Sequence, residues 1–179
     1  GRVGTRGLTG RAYPRAIMST PREPELATAY EPAETERAVS ARWREAHAFH
    51  AEPDDPGDPY SIVIPPPNVT APLHLGHALN NTLQDVLIRL HRMRGFNTLW
   101  MPGTDHAGIA TQTVVEKRLL ALGTSRLELG REAFVDTVQE WKDEYEAVIL
   151  AQLDEMGASC DWDRTRFTMD PVCVAADRQ

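Results

Sequence analysis

The chain has 179 residues, 41% hydrophobic and 25% charged, with 19 basic against 26 acidic side chains and a net charge of -7. That length can bury roughly 70% of the unfolded surface, and no apolar run approaches the roughly 20 residues of a membrane span, which excludes collagen-like, transmembrane and wholly disordered classes. The acidic balance argues against a surface that grips a phosphate backbone over a wide area, and Cys160 and Cys173 lack the spacing of a zinc or redox pair, so a reducing, cytoplasmic setting with no assigned cysteine role is expected.

Residues 1–17 stand apart, with Arg2, Arg6, Arg11 and Arg15 and no acid. They lack the serine enrichment and apolar periodicity of a transit peptide, so an unstructured leader or non-native upstream sequence is expected, with Met18 as the true start. From Glu34 to Phe49 the pattern predicts a helix carrying Trp43 and Phe49, the core of an N-terminal extension over 18–58. On it His47 and His50, three apart, read as solvent-facing.

Tyr60-Ser-Ile-Val-Ile64 is short and β-branched between prolines, which suits a buried strand. Pro65, Pro66 and Pro67 then force an extended path, and helix is disfavoured until about Leu75. From Gly76 to Arg94 the pattern is helical, and Leu79, Leu83, Val86, Leu87, Leu90 and Met93 make one apolar face, with Gly95 as the stop. Asn97–Met101 predicts a second strand, Pro102–Gly108 a loop, and Ile109–Leu122 a helix closed by Gly123. This order predicts an α/β fold with parallel strands. A long helix follows over Arg131–Met156, then a turn into Phe167-Thr-Met169, and the chain stops at Gln179 without closing a recognisable unit. Trp100 and Trp141 read as core.

Ligands of open parallel sheets bind beyond the carboxyl ends of the strands, where two polar segments fall, Asn68–His77 and Thr104–Gly108. His74-Leu-Gly-His77 straddles a helix start, where free N–H groups and the helix dipole attract an anion. Gly76 lets a flat base or sugar approach, and the combination suits a nucleoside triphosphate. The same pair of histidines is also compatible with a plain helix-start cap.

The stretch Pro65-Pro-Pro-Asn-Val-Thr-Ala-Pro-Leu-His74-Leu-Gly-His77, together with Asn97-Thr-Leu-Trp-Met-Pro-Gly-Thr-Asp105-His-Ala-Gly-Ile-Ala-Thr-Gln112, resembles the catalytic start of the class I aminoacyl-tRNA synthetases. The Gly-Thr-Asp-His-Ala-Gly form of the second motif resembles the valine branch. The resemblance spans roughly residues 30–170. It implies the N-terminal half of a Rossmann-type catalytic domain over 59–170, with 171–179 starting an inserted editing region. It further implies ATP with Mg2+, valine and its tRNA as partners, no membrane, and a monomer when full length.

The implied reaction joins valine to the α-phosphate of ATP, releasing pyrophosphate, and then transfers the valyl group to tRNA. His74 and His77 would be the catalytic donors to the phosphates, with Gly76 completing the ATP site. Asp105 would hold the substrate ammonium, or else cap the following helix. Asn68 and Pro66 would position the amino acid, Asn68 otherwise making an Asx turn. His106 either lines that pocket or packs behind it. An apolar pocket cannot strongly reject a substrate that gains a hydroxyl, a case for which valine enzymes facing threonine are the stock example, so editing by a domain beyond Gln179 is expected. The lysine-bearing phosphate loop of the family is also missing, and the chain alone is expected to be inactive. Two rivals remain on the residues: a metal-dependent hydrolase using His74, His77, Asp105 and His106, and a non-catalytic nucleotide-binding module.

Overall fold

The computed structural model describes residues 29–179, so the expected leader and Met18 lie outside the described residues. Helix α1 spans Pro32–Glu45, with Pro32 in its first turn, where a missing N–H costs nothing. It ends four residues earlier than the sequence predicts, because His47 takes a left-handed backbone (φ 45°) that a helix cannot continue through. His47 therefore lies in the turn that follows the helix, and His50 just beyond that turn. The α1 segment braces the domain: the Arg89 guanidinium lies 5.3 Å from the Trp43 ring centre and 5.9 Å from that of Phe49, and Arg44 pairs with Asp154.

Strand β1 (Pro59–Val63) pairs in parallel with β2 (Asn97–Met101), from Pro59 opposite Asn97 to Val63 opposite Met101. Helix α2 (Leu75–Met93) makes the crossover, and Gly95, at φ 84°, takes the left-handed position that ends it. A second parallel pair joins β3 (Gly103–Thr104) to β4 (Arg166–Phe167). Between them run α3 (Ile109–Ala121), the short α4 (Arg126–Leu129) and α5 (Arg131–Glu155). A 3-10 turn at Trp162–Arg164 precedes β4, and α6 (Pro171–Asp177) closes the chain, capped by Asp170.

The apolar face of α2 is real but turns outward. Leu79, Leu83, Val86, Leu87, Leu90 and Met93 are all exposed, and the buried residues of the helix are Asn81 and Ile88. Its inner side is held by polar partners. Gln84 Oε1 accepts from the Trp100 indole at 3.1 Å, Asp85 Oδ1 accepts the backbone N–H and the hydroxyl of Ser159, and Arg92 donates to Ser159 Oγ at 3.1 Å. A helix can thus pack through satisfied hydrogen bonds, leaving its hydrophobic stripe on the far side.

Helix α5 ties the domain together by entering both hydrophobic clusters. Ile149 and Leu153 pack with Ile64, Val69, Ile88 and Trp100, while Trp141 packs with Val115 and Leu119 of α3. Trp100 and Trp141 are core residues, as expected. The same helix grips the proline loop after β1: the Trp141 indole donates to Val69 O at 2.9 Å, and Gln152 Oε1 accepts from Leu73 N at 2.7 Å. That loop carries polar backbone over buried apolar residues, and these bonds satisfy it where a ladder is missing.

Candidate functional site

Because β1 and β2 are parallel, both loops leave the sheet at the same end. They are stitched together by backbone bonds: Asp105 N donates to Pro67 O at 2.8 Å and Val69 N donates to Asp105 O at 3.0 Å, an isolated parallel bridge between Asn68 and Asp105. Pro67 and Val69 are buried while Pro66 and Asn68 are exposed, the alternation of an extended segment. Pro66, Asn68 and Asp105 therefore share one edge of the site.

At the start of α2 the two imidazoles form a reciprocal capping box. His74 Nδ1 accepts from Gly76 N at 3.0 Å, and His77 Nδ1 accepts from His74 N at 3.2 Å. The ring centres are 4.0 Å apart. A neutral imidazole that accepts at Nδ1 carries its hydrogen on Nε2, so both rings offer an Nε2–H donor in addition to the free N–H groups of the first turn. Partial burial, and then the nearby His74, hold the His77 pKa below its ordinary 6.5, which favours the neutral ring. Capping through Nδ1 is thus compatible with the expected donor role, because it leaves Nε2 of each ring to carry the hydrogen.

Gly76 has a local reason beyond access for a flat ligand. A Cβ there would stand 2.8 Å from His74 Cε1 and 3.0 Å from Nδ1, so the glycine leaves room for the His74 ring to fold back over the helix end. Asp105 does not cap α3, whose N-cap is Gly108 without a side-chain bond. Its Oδ1 instead accepts from the Thr168 hydroxyl at 2.8 Å. His106 Nδ1 lies 2.6 Å from the same hydroxyl, and His106 also lines a cavity of about 380 Å³ with Val69, Gly108, Phe134 and Phe167. Thr168, which touches both Asp105 and His106, is not singled out by the sequence. Only its neighbourhood, the short Phe167-Thr-Met169 segment, was visible.

The four residues expected of a metal-dependent hydrolase are not assembled as one ligand set. His74 and His77 use Nδ1 on backbone N–H groups, and Asp105 and His106 converge on Thr168. Among the described residues, the group of potential ligand atoms within 4.8 Å of one another is His50, Asp161 and Asp163. There Asp161, which is buried, already pairs with Arg164 Nε at 3.1 Å and with His50 Nδ1 at 3.1 Å, while His50 Nε2 meets Glu52 at 2.8 Å. The hydrogen bonds to Glu52 and then Asp161 raise the His50 pKa above 6.5. This network fastens the α1 segment to the turn before β4, so His50 is more than a solvent-facing residue.

Among the described residues no helix is long and apolar enough to cross a membrane. Residues 38–179 match the family model described as tRNA synthetases class I (I, L, M and V). The chain is 61% identical over 157 residues to the valine-tRNA ligase of Geobacter sulfurreducens, covering 88% of this chain and 18% of that protein. It is 57% identical over 155 residues to the valine-tRNA ligase of Rhodopirellula baltica, covering 86% and 15%. The chain thus spans less than a fifth of the length of the curated relatives it matches. In fold it resembles the agnB2 LeuRS of Agrobacterium radiobacter K84, solved as a ternary complex with tRNA and LeuAMS. The TM-score is 0.69 and the identity 21%, covering 84% of this chain and 17% of that one.

Proposed function

From the premise that this chain belongs to the class I tRNA synthetases of the I, L, M and V group, we propose that it carries the first half of the valine-activating site of a valine-tRNA ligase. The observation that carries the reading is the reciprocal histidine cap at the start of α2, with two Nε2–H donors beside free backbone N–H groups.

ATP binds with its phosphates at this helix start, magnesium travelling with the triphosphate as part of the substrate. Attack of the valine carboxylate on the α-phosphate builds negative charge on the phosphate oxygens as pyrophosphate leaves. His74 and His77 donate to that charge without having to be protonated, because neutral rings already carry the hydrogen at Nε2. The backbone at Gly76 completes the ATP site. Asp105 accepts from the α-ammonium of valine, Asn68 and Pro66 bound the amino acid on the adjoining loop, and His106 borders the cavity beside it.

Within this reading, 59–170 is the first half of the nucleotide-binding domain, the segment before it an N-terminal extension, and 171–179 the start of an inserted editing region. The complete enzyme is a cytoplasmic monomer that passes valine to its tRNA. The test is amino-acid-dependent ATP-pyrophosphate exchange by the complete enzyme with each standard amino acid, repeated with His77→Ala. Valine-dependent exchange that falls about a hundredfold in the variant is expected. Exchange with another amino acid overturns the specificity, and none with any amino acid overturns the function.

A further inference from the structure

We infer that Thr168 is the positioning residue that sets the orientation of the Asp105 carboxylate, an inference that rests on the reading of Asp105 as the ammonium acceptor. A threonine hydroxyl has one hydrogen to give and two lone pairs to fill. All three are engaged here. Thr168 Oγ1 lies 2.8 Å from Asp105 Oδ1, accepts from His106 N at 2.9 Å, and lies 2.6 Å from His106 Nδ1.

The hydrogen has one favourable destination. If it pointed at His106 Nδ1, the hydroxyl lone pair would face an ionised carboxylate oxygen with no hydrogen between them. Donated to Asp105 Oδ1, it leaves the lone pairs for the two His106 N–H groups, so His106 carries its hydrogen on Nδ1. One carboxylate oxygen is thereby committed to the protein, and Oδ2 is left to accept from a ligand. The Asp105 side chain is 30% exposed, open enough for a small ammonium to reach it.

The placement of Thr168 follows from the fold. Pairing of β3 with β4 sets Thr104 opposite Phe167, and Thr168 N continues that ladder to Thr104 O at 3.1 Å. The hydroxyl is thus delivered from a strand far along the chain to the carboxylate that follows β3. The Asp105 backbone is fixed from the other side by Pro67 and Val69. Backbone bonds fix where Asp105 begins, and Thr168 fixes where its carboxylate ends.

The experiment measures valine-dependent ATP-pyrophosphate exchange by the complete enzyme carrying Thr168→Val, Thr168→Ser or Asp105→Asn, with thermal unfolding of each. Valine keeps the shape and removes the hydroxyl, while serine keeps the hydroxyl and removes the methyl. Expected for Thr168→Val is a KM for valine raised about tenfold with the KM for ATP within about twofold, and for Thr168→Ser a return to within about threefold of wild type. An unchanged KM for valine in Thr168→Val overturns the inference, as does Thr168→Ser being impaired as severely as Thr168→Val, or the two KM values rising together. Asp105→Asn separates the two levels. If it raises the KM for valine while Thr168→Val does not, only the positioning role fails; if it does not, the reading of Asp105 fails and the inference with it.

Discussion

Replacing Gly76 by alanine tests whether capping and donation at the start of α2 are one arrangement. The new Cβ would sit 2.8 Å from His74 Cε1, where carbon atoms prefer about 3.5 Å or more, so the ring must retreat by about 0.7 Å. From a starting distance of 3.0 Å, that retreat carries the Gly76 N–H to Nδ1 contact beyond hydrogen-bonding range. Loss of a side-chain cap costs about 1 kcal/mol, and alanine in place of glycine in a helix returns up to about 1 kcal/mol, so stability should change little. Activity should not be spared. A displaced His74 ring no longer aims Nε2–H at the phosphates, a loss on the order of a hundredfold in exchange rate. Urea unfolding and ATP-pyrophosphate exchange on the same preparation make the comparison. Exchange within about threefold of wild type would refute the coupling, and so would a loss of rate that merely tracks a loss of stability.

Two further outcomes follow from contacts elsewhere. A Cβ at Gly103 would lie 2.8 Å from Arg166 O, a backbone atom that cannot rotate away, so Gly103→Ala should part β3 from β4 and displace Thr168. The expected result is a loss of about 1–3 kcal/mol in urea unfolding together with a raised KM for valine, and a variant of wild-type stability would contradict it. His50 has a folded pKa raised above 6.5 by Glu52 and Asp161, so its stabilising contribution is complete below about pH 6.5 and is lost as pH rises through the raised value. The stability gap between wild type and His50→Gln should therefore narrow from about pH 6 to pH 9, and a gap constant over that range would show the ion network to be inert.

The start of the site was legible because its chemistry is local. A strand, an extended proline loop and a helix start can be read from neighbours in the chain, and two histidines three apart at a helix start meet wherever that helix forms. The long helices were read almost to the residue for the same reason, α5 within one position of its end. What escaped was long-range. β3 and β4 have two residues each, too short for any periodic signal, and Thr168 reaches Asp105 only through their pairing. His50 and Asp161 meet across a still longer stretch of chain, 111 residues apart against 63 for Asp105 and Thr168. On α2 the period was correct and its direction was not evident. Periodicity locates a stripe, whereas Gln84, Asp85 and Arg92 decide which side meets the sheet, and polar residues with waiting partners are invisible to hydrophobic spacing.

That outward stripe governs how the molecule behaves as a colloid. Leu79, Leu83, Val86, Leu87, Leu90 and Met93 give α2 a greasy exterior on a chain whose net charge of -7 otherwise keeps copies apart. The repulsion acts over about 10 Å at 0.1 M salt and shrinks to about 3 Å at 1 M, while the attraction between apolar faces is not screened. For this stretch of chain taken by itself, added salt weakens the repulsion and leaves the apolar attraction in place, so association through α2 should rise with salt.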